Sequence, residues 1–160
     1  MEAFSDRFNS LFTNKTLVIG KRGAGKTSLL IELAAEHFLK GNFRILIIDK
    51  DYSSSLSKRD EIVNLIISKS GDDKIISKVD KKEIASEKIN SIIAFGTSET
   101  HKMRGYSLDV VLLDNIDLYD FYDCMVSIYP CLATNLKSKI IATSTSEVDD
   151  LRNFNKVYME

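Results

Sequence analysis

Gly20-Lys21-Arg22-Gly23-Ala24-Gly25-Lys26-Thr27 separates an apolar, β-branched run, Thr16 to Ile19, from a stretch of different periodicity. In that stretch, Thr27 to Lys40, the residues Leu30, Leu33, Ala34, His37 and Phe38 recur at helical spacing. The octet satisfies G-x-x-x-x-G-K-[ST] in full, between a predicted strand and a predicted helix, which is the context the pattern requires. Glycines let the backbone turn tightly enough for successive N–H groups to face phosphate oxygens, and the helix that follows adds the positive end of its dipole. Lys26 is expected to reach the β- and γ-phosphates of a nucleotide such as ATP, and the Thr27 hydroxyl to ligate Mg²⁺. The expected phosphate-binding set is Gly20, Lys21, Arg22, Gly23, Ala24, Gly25, Lys26, Thr27 and Ser28.

Outward from this loop, Gly41 is placed to end the helix, and three further apolar runs follow at Arg44 to Ile48, Asp109 to Leu113 and Lys139 to Ala142. Their near-continuous apolarity suits parallel strands covered on both faces. Ser54 to Ser68 reads as a second helix with Ile62, Leu65 and Ile66 on one stripe, and Ser91 to Phe95 as another strand. Residues 69–90 are rich in lysine and aspartate and read as a surface excursion carrying a short strand at Glu83 to Ala85. Phe4, Phe8, Leu11 and Phe12 suggest a short leading helix whose aromatic side chains cap the sheet.

The chain has 160 residues, 44% hydrophobic and 28% charged, which fits one compact domain over residues 1–160. Its net charge of −1 excludes the broad positive field of a protein that coats nucleic acid unaided. Any DNA contact is expected to be local or supplied by a partner. Cys124 and Cys131 lie seven apart with no histidine nearby, giving neither a disulfide framework nor a zinc site. A reducing, intracellular setting follows as the expectation. No apolar run approaches the roughly 18 residues that cross a bilayer, and the acidic Glu2 and Asp6 do not fit a signal peptide, so a soluble protein without a membrane partner is expected.

Phosphoryl transfer to water needs an acidic group at the end of a buried strand. Asp114, after Val110 to Leu113, occupies the carboxyl end where open α/β sheets place ligands, and it is the expected second metal-binding residue beside Thr27. Asn115 comes next, where many ATPases carry a water-activating glutamate, and an amide cannot take a proton from water. Asp117 and Asp120 are candidate stand-ins. The strand Lys139 to Ala142 ends in hydroxyls, Thr143 to Ser146, suited either to a γ-phosphate and its water or to plain backbone capping. Arg22 and Arg104 are candidate charge stabilisers, while His37 and His101 keep no company with a nucleophile or metal ligand. The candidate catalytic set is Lys26, Asp114, Asn115 and Arg22.

In their order, these pieces resemble the ATPase domain of the large subunit of tailed-phage terminases, over roughly Leu17 to Glu147. The resemblance rests on the arginine-bearing Walker A element Gly20 to Thr27, the run Ser91 to Ser98, Met103-Arg104-Gly105 just ahead of Asp109 to Asp114, and Phe121 to Pro130 leading into Lys139 to Ser146. It implies an α/β P-loop NTPase fold of the ASCE type, three layers around a mainly parallel sheet, with the coupling strand between the Walker A and Walker B strands. It also implies an Mg²⁺- and ATP-dependent motor that threads double-stranded DNA into a procapsid. Such a motor works as a homo-oligomeric ring with a portal and a small terminase subunit, in the cytoplasm of an infected host cell. By the same resemblance Arg22 is a cis arginine at the γ-phosphate, and Ser144, Thr145 and Ser146 couple hydrolysis to movement. The chain departs from the family in two residues, Asn115 in place of glutamate and Ser146 in place of the usual proline of the coupling motif, and no nuclease domain is expected within residues 1–160.

Two other classes fit parts of the pattern. An AAA+-like replication or helicase-loader ATPase is suggested by Leu113 to Asp117 and the polar strand end at Thr143, although few residues follow Glu147 to form a helical lid. A nucleotide-binding module with weak hydrolysis is suggested by Asn115.

Overall fold

The computed structural model describes residues 14–97, 107–133, 135 and 137–160. The expected leading helix at Phe4 to Phe12 and the Met103-Arg104-Gly105 element lie outside the described residues.

Eight strands form one sheet: β1 (Lys15–Gly20), β2 (Arg44–Ile48), β3 (Lys78–Val79), β4 (Glu83–Ser86), β5 (Ser91–Gly96), β6 (Val110–Leu113), β7 (Lys139–Ser144) and β8 (Asn155–Met159). Their order across the sheet is β3-β4-β5-β2-β6-β7-β1-β8. From β5 to β8 every pairing is parallel, while β3 and β4 add an antiparallel margin. The fold is therefore the α/β class expected, and β7 lies between β1 and β6 as the terminase resemblance implies.

Alternation along the strands divides the apolar residues between two faces. Val18, Ile45, Ile47, Val110 and Leu112 pack with helices α1 (Lys26–Leu39) and α3 (Arg59–Ser70) through Leu30, Leu33, Phe38, Ile62 and Ile66. Leu17, Ile19, Leu46, Ile48, Val111 and Leu113 face the other way, against Cys124, Ile128 and Cys131 of helix α4 (Phe121–Leu132) and against Leu151 and Phe154. The two cysteines, two helical turns apart, are buried free thiols in that second layer. Burial raises the Cys124 thiol to about 12, which keeps it protonated. No helix among the described residues is long and apolar enough to cross a membrane.

The single helix expected over Ser54 to Ser68 is instead two. A short helix α2 (Tyr52–Leu56) starts at Asp51, whose carboxylate accepts from the Ser54 amide at 2.7 Å, and α3 begins after a break at Ser57 and Lys58. The break turns the Lys58 side chain inward to 4% exposure, where it reaches the carboxylates described below. Residues that follow Glu147 form a 3-10 turn and β8, which pairs with the far edge of β1.

Candidate nucleotide site

β1 stops at Gly20, and the next five residues turn back to start α1. Gly23 and Gly25 have φ of 85° and 96°, a left-handed backbone that costs a side-chain-bearing residue roughly 1–2 kcal/mol. Gly20 is needed for a different reason: a Cβ there would sit 3.0 Å from the Met159 carbonyl oxygen and 3.2 Å from the Ala24 methyl. Because the N-cap of α1 is Gly25, no side chain satisfies the first-turn amides. Those N–H groups are thereby left for an anion.

Lys26 is 6% exposed, and its ammonium spans the loop, donating to the carbonyl oxygens of Gly20 and of Lys21, the latter at 2.9 Å. Arg22 and Ser28 are exposed at the mouth of the loop.

Opposite the loop, Asp114 continues the β6 ladder by donating its amide to the Ile48 carbonyl at 2.8 Å, and its side chain is fully buried. Asp114 Oδ2 accepts from the Thr27 hydroxyl at 2.9 Å and Oδ1 from the Thr143 hydroxyl at 2.5 Å. The structure thus joins the two expected metal-binding residues across 87 positions of sequence. Thr27 and Asp114 offer one hydroxyl and one carboxylate, all hard oxygen. No cluster of three or more histidine, cysteine or acidic residues able to hold a metal occurs among the described residues. That donor set fits Mg²⁺, which binds through one or two protein oxygens alongside substrate phosphates and water.

Asn115 has φ 55° and ψ 48°, the left-handed conformation asparagine tolerates better than most residues. Its amide donates to Thr143 Oγ1 at 2.9 Å, and its side-chain Nδ2 donates to both oxygens of Asp49 at 3.2 and 3.3 Å. Asp49, at the end of β2 and 2% exposed, is bound in turn by the Lys58 ammonium at 2.8 Å. The same ammonium lies 3.2 Å from Asp114 Oδ2 and donates to the Ser54 carbonyl at 2.9 Å. Sequence reasoning missed both Asp49 and Lys58. Asp49 repeats the signal that marked Asp114, an acid directly after an apolar strand; Lys58 gave none, being hidden in an apparently continuous helix.

The stand-in carboxylates turn out to be engaged elsewhere. Asp120 caps α4, accepting from the Tyr122 and Asp123 amides at 2.8 and 3.2 Å, and Asp117 is exposed and accepts from the Thr145 hydroxyl at 2.6 Å. In the hydroxyl run it is Thr143 that touches Asp114. Ser144 instead donates to the Ser146 carbonyl at 2.5 Å, and Thr145 faces Asp117. An open cleft of about 700 Å³, lined by Asp117, Tyr119, Asp120, Ser146 and Glu147 among others, runs beside these residues. The Tyr119 hydroxyl is buried without a hydrogen-bond partner. Burial first, and then the nearby Cys124, Asp49 and Asp114, raise its pKa far above the phenolic range, so it remains a neutral donor.

No family model and no curated protein sequence matches the chain. Solved structures do. The large terminase ATPase domain of Thermus phage P74-26 superimposes with a TM-score of 0.72 at 14% identity, covering 99% of this chain and 86% of that one. The large terminase of the thermophilic bacteriophage D6E in complex with ATP-gamma-S gives 0.66 at 11% identity, over 91% of this chain and 38% of its own length. A DEAD box protein from the hyperthermophile Methanococcus jannaschii gives 0.66 at 14%, over all of this chain and 48% of that protein. The chain therefore has the fold of P-loop ATPase domains and spans well under half of the D6E large terminase.

Proposed function

We propose that this chain is the ATP-binding and ATP-hydrolysing motor domain of a viral DNA-packaging machine. The observation that carries the reading is the Thr27–Asp114 hydrogen bond at 2.9 Å, which sets a phosphate loop and a buried acid face to face with β7 between their strands. Support comes from the shared fold with large terminase ATPase domains, one of them solved with ATP-gamma-S.

In this reading the amides of Gly23 and of Gly25 to Ser28 bind the phosphates, and Lys26 exchanges the loop carbonyls for the β- and γ-phosphate oxygens. Arg22, exposed at the loop mouth, would meet the γ-phosphate. Thr27 and Asp114 would hold Mg²⁺, which neutralises charge on the β- and γ-oxygens when bound. Thr143 links Asp114 to the end of β7, so a shift of Asp114 is delivered to Ser144, Thr145 and Ser146. Double-stranded DNA, a portal with its procapsid, a small terminase subunit and further copies of the chain in a ring are the partners proposed.

ATP turnover measured with and without procapsid and portal tests the reading. Stimulation by those components, abolished by Lys26→Ala, is expected; absence of turnover under assembly conditions would refute it. A second reading, a nucleotide-binding module that hydrolyses poorly, is favoured by the Asn115 amide adjoining Asp114. Tight ATP binding with no turnover, and a large gain on Asn115→Glu, distinguish it.

A further inference from the structure

A carboxylate that holds a water and takes its proton would assist hydrolysis at this site, and Asn115 cannot be that group. Its side-chain amide is moreover already committed, donating to Asp49. Among the acids near the loop, Asp120 and Asp51 each cap a helix and Asp117 is exposed against Thr145. Glu83 lies on the antiparallel margin, paired with Lys78 at 2.7 Å.

Asp49 stands apart from all of these. β2 and β6 are neighbours in parallel register with Ile48 opposite Leu113, so Asp49 and Asp114 are each the first residue beyond a matched pair. They project from the same carboxyl edge of the sheet, and one ammonium bridges them at 2.8 and 3.2 Å. A carboxylate offers about four acceptor positions. Asp49 uses them for the Lys50 amide at 2.7 Å, the Lys58 ammonium at 2.8 Å and the Asn115 amide, which is shared between both oxygens. The Asn115 contact is the longest of these, one amide split over both oxygens at 3.2 and 3.3 Å, and it is the contact with which a water would share the carboxylate.

We propose that Asp49 is the catalytic carboxylate that orients the attacking water, with Lys58 and Asn115 as the residues that position it. The proposal rests on the ATPase reading above. In the step, a lone pair of the water oxygen forms the new bond to the γ-phosphorus. The bond from that phosphorus to the β–γ bridging oxygen breaks, its electron pair leaving on ADP. The water proton passes to Asp49 and then to solvent. Asn115 thus does not leave the site without an acid; it orients one held on the adjacent strand.

A structural role has to be separated from this one, because Asp49 also neutralises a buried lysine. Two variants do so: Asp49→Asn, and the double variant Asp49→Asn with Lys58→Met, in which no unpaired ammonium is left behind. Binding of Mg²⁺ with a non-hydrolysable ATP analogue and single-turnover hydrolysis of bound ATP are measured on the full chain, with thermal unfolding to verify folding. The expected result is analogue affinity within about threefold of the parent in both variants and hydrolysis slowed about 100-fold or more in both. Slowing of less than tenfold in Asp49→Asn, or recovery to within tenfold in the double variant, overturns the assignment while leaving the ATPase reading intact. A parent chain that binds ATP and never hydrolyses it removes both.

Discussion

Replacing Lys58 with methionine is the perturbation whose cost the structure specifies most directly. The substitution keeps the length and apolar stem of the side chain and removes only the ammonium, leaving Asp49 and Asp114, 2% and 0% exposed, without their shared counter-ion. At an effective dielectric of about 20, charges at the observed 2.8 and 3.2 Å attract by about 6 and about 5 kcal/mol. Most of that gross attraction offsets the cost of dehydrating three ions. What remains measurable is the penalty for stranding buried carboxylates, about 3–5 kcal/mol when one partner of such a set is removed. For a chain of this size that corresponds to a Tm lower by roughly 6–20 °C. Urea and thermal unfolding of the nucleotide-free protein, followed by circular dichroism, measure it. The additional change Asp49→Asn deletes one of the two stranded charges and is expected to restore about half of the loss. A loss below about 1 kcal/mol for Lys58→Met, or no recovery in the double variant, would show that the cluster is solvated and refute the reasoning.

Three further outcomes are expected. Lys26→Ala removes the charge-assisted contacts to the phosphates, each worth about 1.5–3 kcal/mol, and should weaken binding of a fluorescent ATP analogue at least tenfold without lowering Tm by more than a few degrees. Thr143→Val leaves the Asn115 amide and Asp114 Oδ1 each short of a partner, and should cost about 1–3 kcal/mol in urea unfolding. His37, buried at the end of α1 with Nδ1 2.7 Å from the Leu33 carbonyl, has its pKa lowered by burial from 6.5 to about 4. The unfolded chain therefore takes up the proton first on acidification. Stability should fall by up to about 1.4 kcal/mol per pH unit from about pH 6.5 down to about pH 4, and should flatten below that. His37→Met should flatten that slope relative to the parent, whereas parallel slopes would exclude His37 as its source.

The phosphate loop and the strands beside it were legible because their signals are local. Thr16 to Ile19 became Lys15–Gly20, Thr27 to Lys40 became Lys26–Leu39, and Glu83 to Ala85 became Glu83–Ser86. β8 was missed since Asn155–Met159 mixes polar and apolar residues over one short edge, and only its pairing with β1 makes it a strand. The break at Lys58 was missed for a stronger reason. Helical periodicity counts apolar residues, whereas the force that turns Lys58 inward comes from Asp49 and Asp114, the latter 56 positions away. Asp49 did carry a local signal, an acid directly after an apolar strand, but its contact with Asn115, 66 positions away, had no local mark.

The placement of β1 has a further consequence, for how the molecule comes into being. Both neighbours of β1 in the sheet, β7 and β8, are supplied by the last quarter of the described chain. At ribosomal speeds of ~5–20 residues per second, roughly 6 to 24 s separate synthesis of Gly20 from that of Lys139. Throughout that interval the phosphate-loop strand has two open edges, while β2 gains its neighbour β5 once Gly96 has been made. The first functional element to be translated is thus the last to be assembled. Such long-range pairing also predicts slow refolding, limited by docking of β1 between strands that arrive more than a hundred residues later.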